Sequence, residues 1–207
     1  MFMLLVKIRH LLKFKRIPHF NNKFQHKVLK LNLGCGNDHK PNWVNIDAER
    51  GCKPDICFDL SKGIPFANNS VDYIYNEHFL EHLSVSESVF FVNECKRVLK
   101  KNGVMRIAVP DLEATMRLYF NPNWKTDLQD FFKKHGMSHI KTKAELVNTN
   151  FRAWGHKWLY DKEELERRLN DVGFYKLKFC EFNKSDISDL CNLESRGDVS
   201  LIVEVTK

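Results

Sequence analysis

The sequence predicts an α/β fold on a mainly parallel sheet, and three observations carry that expectation. Short apolar runs end repeatedly in Gly, Asp or Pro, a clear helix separates two of them, and a second helix precedes two further runs. Residues 28–33, VLKLNL, form a strand entering the turn Gly34-Cys35-Gly36. Residues 43–47, WVNID, end a second strand on Asp47, and residues 55–60, DICFDL, end a third on Asp59-Leu60. After the loop GIPFANNS a fourth strand covers 71–76. A helix over 84–100 follows, with Ser84 as N-cap, Glu87 completing a capping box and Gly103 as the stop. The fifth strand, 104–109, ends on Pro110-Asp111. Residues 111–157, rich in Phe, Trp, His and Asn, read as a helical insertion. A helix over 160–174, stopped by Gly173, leads to strands near 175–182 and 199–206 that can pair antiparallel.

A chain of 207 residues, 43% hydrophobic and 12% aromatic, supports one domain with a real core. The net charge is +7, yet residues 1–30 hold eight Lys/Arg and no acid, which leaves residues 31–207 at −1. The basicity belongs to an N-terminal arm, residues 1–27, ahead of a near-neutral domain, residues 28–207. Nucleic acid is therefore not the expected partner of the domain. On a helix, Leu4, Leu5, Ile8, Leu11 and Leu12 share one face opposite most of Lys7, Arg9, Lys13 and Arg16, up to Pro18. Such a helix suits peripheral contact with an anionic membrane through residues 1–17, or packing on the domain or a second subunit. No run is long enough to span a bilayer. The six cysteines show no C-x-x-C pair and no zinc spacing, as expected of reduced thiols in a cytoplasmic protein, at most peripheral to the inner face of the membrane.

The glycine turn selects among nucleotides. A dinucleotide fingerprint needs a third glycine, a helix to receive the pyrophosphate and an acid about 20 residues on. Here Gly34-Cys35-Gly36-Asn37-Asp38-His39 lacks the third glycine, the next strand begins within a few residues, and Asp47 comes early. A crossover shorter than about 10–12 residues holds no full helix. A nucleoside without phosphates fits better. Glycines admit a ligand close to the backbone, Asp47 can accept from ribose hydroxyls, and Asp59 can accept from an adenine amine. Nearby carboxylates also suit a sulfonium cation.

With these residues in place, the stretch 29–113 resembles the class I S-adenosylmethionine-dependent methyltransferases. The shared pieces are L-N-L-G-C-G, W-V-N-I-D, F-D-L, P-F-x-N-N-S-V-D, E-H-x-L-E-H and R-V-L-K-x-x-G-V-x-R-I-x-V-P-D-L, together with GHKWLYDKEELERRLNDVGF nearer the C-terminus. Within that class the chain looks like a small bacterial branch associated with surface-polysaccharide synthesis. The resemblance implies a Rossmann-like, seven-stranded, mostly parallel sheet with an antiparallel last strand. It also implies S-adenosyl-L-methionine as cofactor and S-adenosyl-L-homocysteine as product. Gly34, Cys35, Gly36 and Asn37 would line the donor, Asp47 its ribose, Asp59 and Leu60 its adenine, and Asn76 its methionine end.

Methyl transfer to an alcohol requires a proton acceptor, and histidine suits that task. His78 and His82, four apart in NEHFLEH and so able to share a helical face, and His156 are the candidates, with Glu77 and Glu81 as adjacent carboxylates. His78, His156 and Glu77 are taken as catalytic, and His82 as a structural tie. The order H-F-L-E-H departs from the protease pattern H-E-x-x-H, so no metal is expected. The acceptor is placed under the insertion, where Tyr119, Trp124, Phe131, Phe132, Phe151 and Trp154 recur beside Arg117 and Arg152. The expected function is O-methylation of a sugar, glycolipid or other small molecule. The rivals are an RNA methyltransferase guided by the arm and a non-catalytic partner subunit of the same fold.

Overall fold

The computed structural model describes residues 28–134, 136–196 and 200–207. The basic arm, residues 1–27, lies outside them. Among the described residues seven strands form one sheet: β1 (Lys30–Leu33), β2 (Val44–Asp47), β3 (Ile56–Cys57), β4 (Val71–Glu77), β5 (Leu99–Pro110), β6 (Lys176–Cys180) and β7 (Ser200–Thr206). Their order is β3-β2-β1-β4-β5-β7-β6. Only β7 runs antiparallel, paired with β5 on one side and β6 on the other. The order reverses between β1 and β4, the place where open parallel sheets leave a crevice at the carboxyl ends of the strands. Among the described residues no helix is long and apolar enough to cross a membrane.

One face of the sheet is covered by α1 (Val85–Val98), with the later helix over Lys162–Asp171 beside it. Leu31, Leu33, Ile46, Ile74, Ile107 and Val203 pack there against Phe91, Val92, Cys95, Leu165 and Leu169. The N-terminus of α1 carries the anticipated capping box, in which the Ser84 hydroxyl accepts from Glu87 N–H and Ser84 N–H donates to the Glu87 carboxylate. Its end differs from expectation. The helix stops at Val98 and Leu99 already pairs with Val71. Gly103 is needed for room instead: an added Cβ would lie 3.0 Å from the carbonyl oxygens of Asp72 and Lys100. The third strand is shorter than predicted, because Asp59 caps a single 3-10 turn over Leu60–Lys62.

The connection from β1 to β2 contains no helix. Asn32 and Asn45 replace it with a polar lattice: Asn32 Nδ2 donates to Asn45 Oδ1 at 3.0 Å and to the Asp38 carbonyl at 2.9 Å, and Lys40 N–H donates to Asn45 Oδ1. On this second face Trp43, Tyr75 and Val104 pack against Leu190 and Leu193 from the polar connection between β6 and β7. Residues 111–157 are helical as anticipated: α2 (Leu112–Phe120), α3 (Trp124–Asp127), α4 (Gln129–Lys134) and α5 (Lys143–Arg152), followed by α6 (Lys162–Asp171) beyond the insertion. Trp124, Phe132, Met137, Ile140 and Leu146 form a small core of their own, with Phe131 packed against it.

Arg106 on β5 is fully buried between two acids. Its guanidinium donates to both Glu194 oxygens, at 2.5 and 2.9 Å, and to Glu204 Oε1 at 2.6 Å. Removing one partner of a buried ion pair strands the other charge in a low dielectric. Arg106→Met should therefore lower the unfolding free energy by about 3–5 kcal/mol in urea denaturation, and a change below about 1 kcal/mol would show that these acids are solvated.

Candidate functional site

The crevice at the reversal point is built from the turn after β1 and the segment after β4. Gly34 and Cys35 N–H both donate to the Ile46 carbonyl, at 2.9 and 3.1 Å, which folds the turn over the end of β2. Both glycines have positive φ, +70° at Gly34 and +49° at Gly36, yet they serve different ends. A Cβ on Gly36 would meet nothing within 4 Å, so this position faces open space. A Cβ on Gly34 would lie 2.3 Å from Phe79 Cδ2. Gly34 thus admits the Phe79 ring, whereas the sequence placed it against a ligand.

Asp47 closes β2 beside this opening. Its Oδ2 accepts from Gly36 N–H and its Oδ1 from Glu49 N–H, each at 2.8 Å, which fixes the carboxylate while leaving lone pairs on both oxygens. Asn37 follows on the exposed side of the turn. Cys35 is buried, and burial together with Asp47 pushes its thiol up to about 12, so it stays protonated. Asp59 accepts from Lys62 and from the Ser61 hydroxyl and N–H, and these contacts hold it below the usual carboxylate range. The Leu60 side chain lies in the core, so only its backbone faces outward. Asn76 is fully buried, and neither polar atom of its amide has a partner. A glycine position with open space, beside a fixed strand-end carboxylate at the reversal point, suits the adenosyl portion of the donor.

The segment after β4 is not a helix, so His78 and His82 do not share a helical face. His78 takes a positive φ of 50° and a single 3-10 turn covers Leu80–His82. The histidines nevertheless converge, on Glu81. Its Oε1 lies 3.6 Å from His78 Nδ1 and 3.9 Å from both His82 Nε2 and His156 Nε2. His156 arrives from far along the chain because Lys157 and Trp158 N–H both donate to the Glu81 carbonyl. Glu81 is completely buried and neither carboxylate oxygen has a hydrogen-bond partner. Burial raises it to about 8 and lowers His78 to about 3. It lowers His82 and His156 as well, His82 with help from His156 and both with help from Arg196. The side chain of His82 is 33% exposed, against 12% for His78 and 5% for His156, so His82 forms the open side of the group.

Glu77 stands apart. Its carboxylate accepts from the Ser195 N–H, the Ser195 hydroxyl and the Arg196 N–H, which clamps the segment before β7. Sequence reasoning weighed Glu81 only as a neighbour of the histidines and read His82 as a tie. The signal for both was the H-x-x-E-H order itself, with Glu81 adjacent to one histidine and a turn from the other. Trp154, at φ 57°, lies 5.5 Å from the His156 ring and is 60% exposed. Tyr119 and Phe151 are also exposed, whereas Trp124 and Phe132 are buried. Arg117 is engaged by Glu113 and Asp111.

The two glycines yield a test. Gly36→Ala should cost about 1–2 kcal/mol of left-handed strain and weaken adenosyl-donor binding. Gly34→Ala should add about 1–3 kcal/mol from the displaced ring and lose more stability in thermal melts. Equal loss in the two variants would contradict the distinct roles.

Residues 25–107 match a family model described as a methyltransferase domain. The matched stretch contains β1 through β4, α1 and most of β5, and so both walls of the crevice. No curated protein matches the chain. A SAM-dependent methyltransferase from Archaeoglobus fulgidus shares the fold at 15% identity and a TM-score of 0.53, covering 100% of this chain and 99% of its own. An S-adenosylmethionine-dependent methyltransferase from Mesorhizobium loti does so at 16% identity and a TM-score of 0.53, over 86% of this chain and 90% of its own. The match over residues 25–107 and the shared fold support a methyltransferase that uses S-adenosylmethionine.

Proposed function

We propose that the protein methylates a hydroxyl of a sugar, glycolipid or other small molecule. The observation that carries this reading is the histidine–Glu81 group at the end of β4, open at His82 and flanked by exposed Trp154. S-adenosylmethionine, when bound, supplies a methyl group on a sulfonium, and an acceptor oxygen must approach it in line. The chain's part is to hold the two reactants and to receive a proton. Gly36 and Asp47 hold the nucleoside end, with Asn37, Asp59 and the Leu60 backbone beside them. The acceptor hydroxyl gives up its proton at the histidine–Glu81 group, where imidazoles kept neutral by burial present free lone pairs. His78 and His156 position the group from its buried side. The Trp154 ring offers a flat apolar face on which a sugar can stack, and positioning of this kind supplies much of the rate.

The basic arm would bring the enzyme to lipid-linked acceptors at an anionic membrane surface, as its amphipathic pattern suggests. Reversing Lys13, Lys15 and Arg16 to Glu should abolish co-sedimentation with anionic vesicles. Unchanged sedimentation would remove the membrane role.

The acceptor class is tested by incubating the protein with methyl-labelled S-adenosylmethionine and nucleotide sugars, lipid-linked saccharides or tRNA. Label is expected in a saccharide fraction, and label in tRNA alone would favour the RNA reading. Asp47→Ala should weaken S-adenosylmethionine binding about 10–100-fold, the equivalent of about 1.5–3 kcal/mol for a charged hydrogen bond. Trp154→Ala should raise the acceptor KM with donor affinity unchanged.

A further inference from the structure

The geometry points to a divalent transition-metal site of the zinc class, formed by Glu81, His82 and His156. The argument begins with protons. His156 Nδ1 lies 2.6 Å from the Asn150 carbonyl, which can only accept, so Nδ1 carries the ring's hydrogen and Nε2 presents a bare lone pair to Glu81. The Ser200 hydroxyl donates to the Arg196 carbonyl at 2.5 Å and therefore accepts from His78 Nε2 at 2.8 Å. That leaves His78 Nδ1 bare as well, again facing Glu81. His82 makes a backbone contact at Gly155 and turns its Nε2 to the same carboxylate.

Imidazole lone pairs thus surround a carboxylate that is completely buried and has no hydrogen-bond donor. Lone pairs directed at lone pairs repel, and a buried carboxylate without a partner is costly. A proton on Glu81 would satisfy one histidine at most, and none stands at hydrogen-bond length. A cation held by Glu81, His82 and His156 satisfies those three together. One carboxylate and two imidazoles form the donor set of a zinc site that keeps an open position. Ligand bonds of about 2.0–2.2 Å in a tetrahedron place ligand atoms about 3.3–3.6 Å apart. The donor atoms of Glu81, His82 and His156 all lie within 4.8 Å of one another, with Glu81 Oε1 3.9 Å from each imidazole nitrogen, so closing on an ion draws the side chains together by roughly 0.3–1.5 Å. The outer contact from His156 to a backbone carbonyl is the kind that fixes a ligating tautomer. His82 supplies the approach from solvent, and the positive φ values of His78 and Trp154 place backbone strain around the same group.

The site is the group that takes the acceptor's proton in the proposed reaction, and a bound metal would occupy those imidazole lone pairs, leaving the proton to a water or hydroxide at its open position. The test uses the untagged full chain, stripped with chelator and titrated with Zn2+ by calorimetry and with Co2+ by visible absorption. One equivalent is expected, with the intense d–d bands of four-coordinate cobalt. His82→Ala and His156→Ala should each weaken uptake by more than about 100-fold, since outer contacts alone are worth about 10–100-fold. The exposed His39→Ala should bind as the parent does. Absence of a stoichiometric metal, or uptake unchanged in both site variants, would overturn the inference. Should a variant fail to fold, the cobalt spectrum of the parent decides, because octahedral cobalt or none rejects the site. S-adenosylmethionine titration of the same samples reports the donor site separately.

Discussion

The contact between Phe79 and Gly34 is the constraint on which the site depends. β1 and β4 are parallel neighbours whose pairing ends at Asn32 and Tyr75, so the Gly34 turn and the Phe79 segment lie beyond the ladder. A ring lying where a Cβ would otherwise be joins them. It is also in edge contact with Phe91 of α1, their centroids 5.0 Å apart, so the glycine turn, the segment after β4 and the covering helix form one packed unit. Only glycine allows this approach, and it is set by shape. The donor wall and the histidine wall of the crevice are thereby held in one register.

The electrostatics of the site follow from that packing. A segment pulled down by Phe79 and buried Leu80 carries Glu81 out of water, and its carbonyl then captures the backbone of Lys157 and Trp158. The insertion is attached to the domain at this point, and His156 comes with it. A carboxylate and three imidazoles that would be ordinary on the surface become mutually dependent once enclosed, because each loses solvation and none is replaced by a direct hydrogen bond.

Much of this was legible in the sequence and some was not, for physical reasons. The strands were visible because apolar runs ended on Gly34, Asp47, Asp59 and Pro110, residues that stop a ladder. The capping box at Ser84 and Glu87 fixed the start of α1 in the same local way. Gly103 was misjudged because a glycine after a helix has two meanings, positive φ or lack of room, and only the surrounding backbone separates them. The role of Gly34 depends on Phe79, beyond any local signal. The histidine cluster was half visible: H-x-x-E-H is written in the chain, but its convergence with His156 rests on backbone hydrogen bonds across the fold. The lining of the second face by Leu190 and Leu193 was hidden in a stretch whose composition reads as loop.

That lining, together with the place of β7 between β5 and β6, bears on how the chain reaches this state as it is made. β5 and β6 are synthesised before the strand that separates them, so the open flank of β5 waits unpaired while the rest of the parallel sheet condenses. Trp43 and Tyr75 wait as well, because the residues that cover them lie between β6 and β7. Pairing of β7 with β5 closes that edge and in the same movement brings Glu204 to Arg106, so sheet closure and neutralisation of the buried guanidinium are one event.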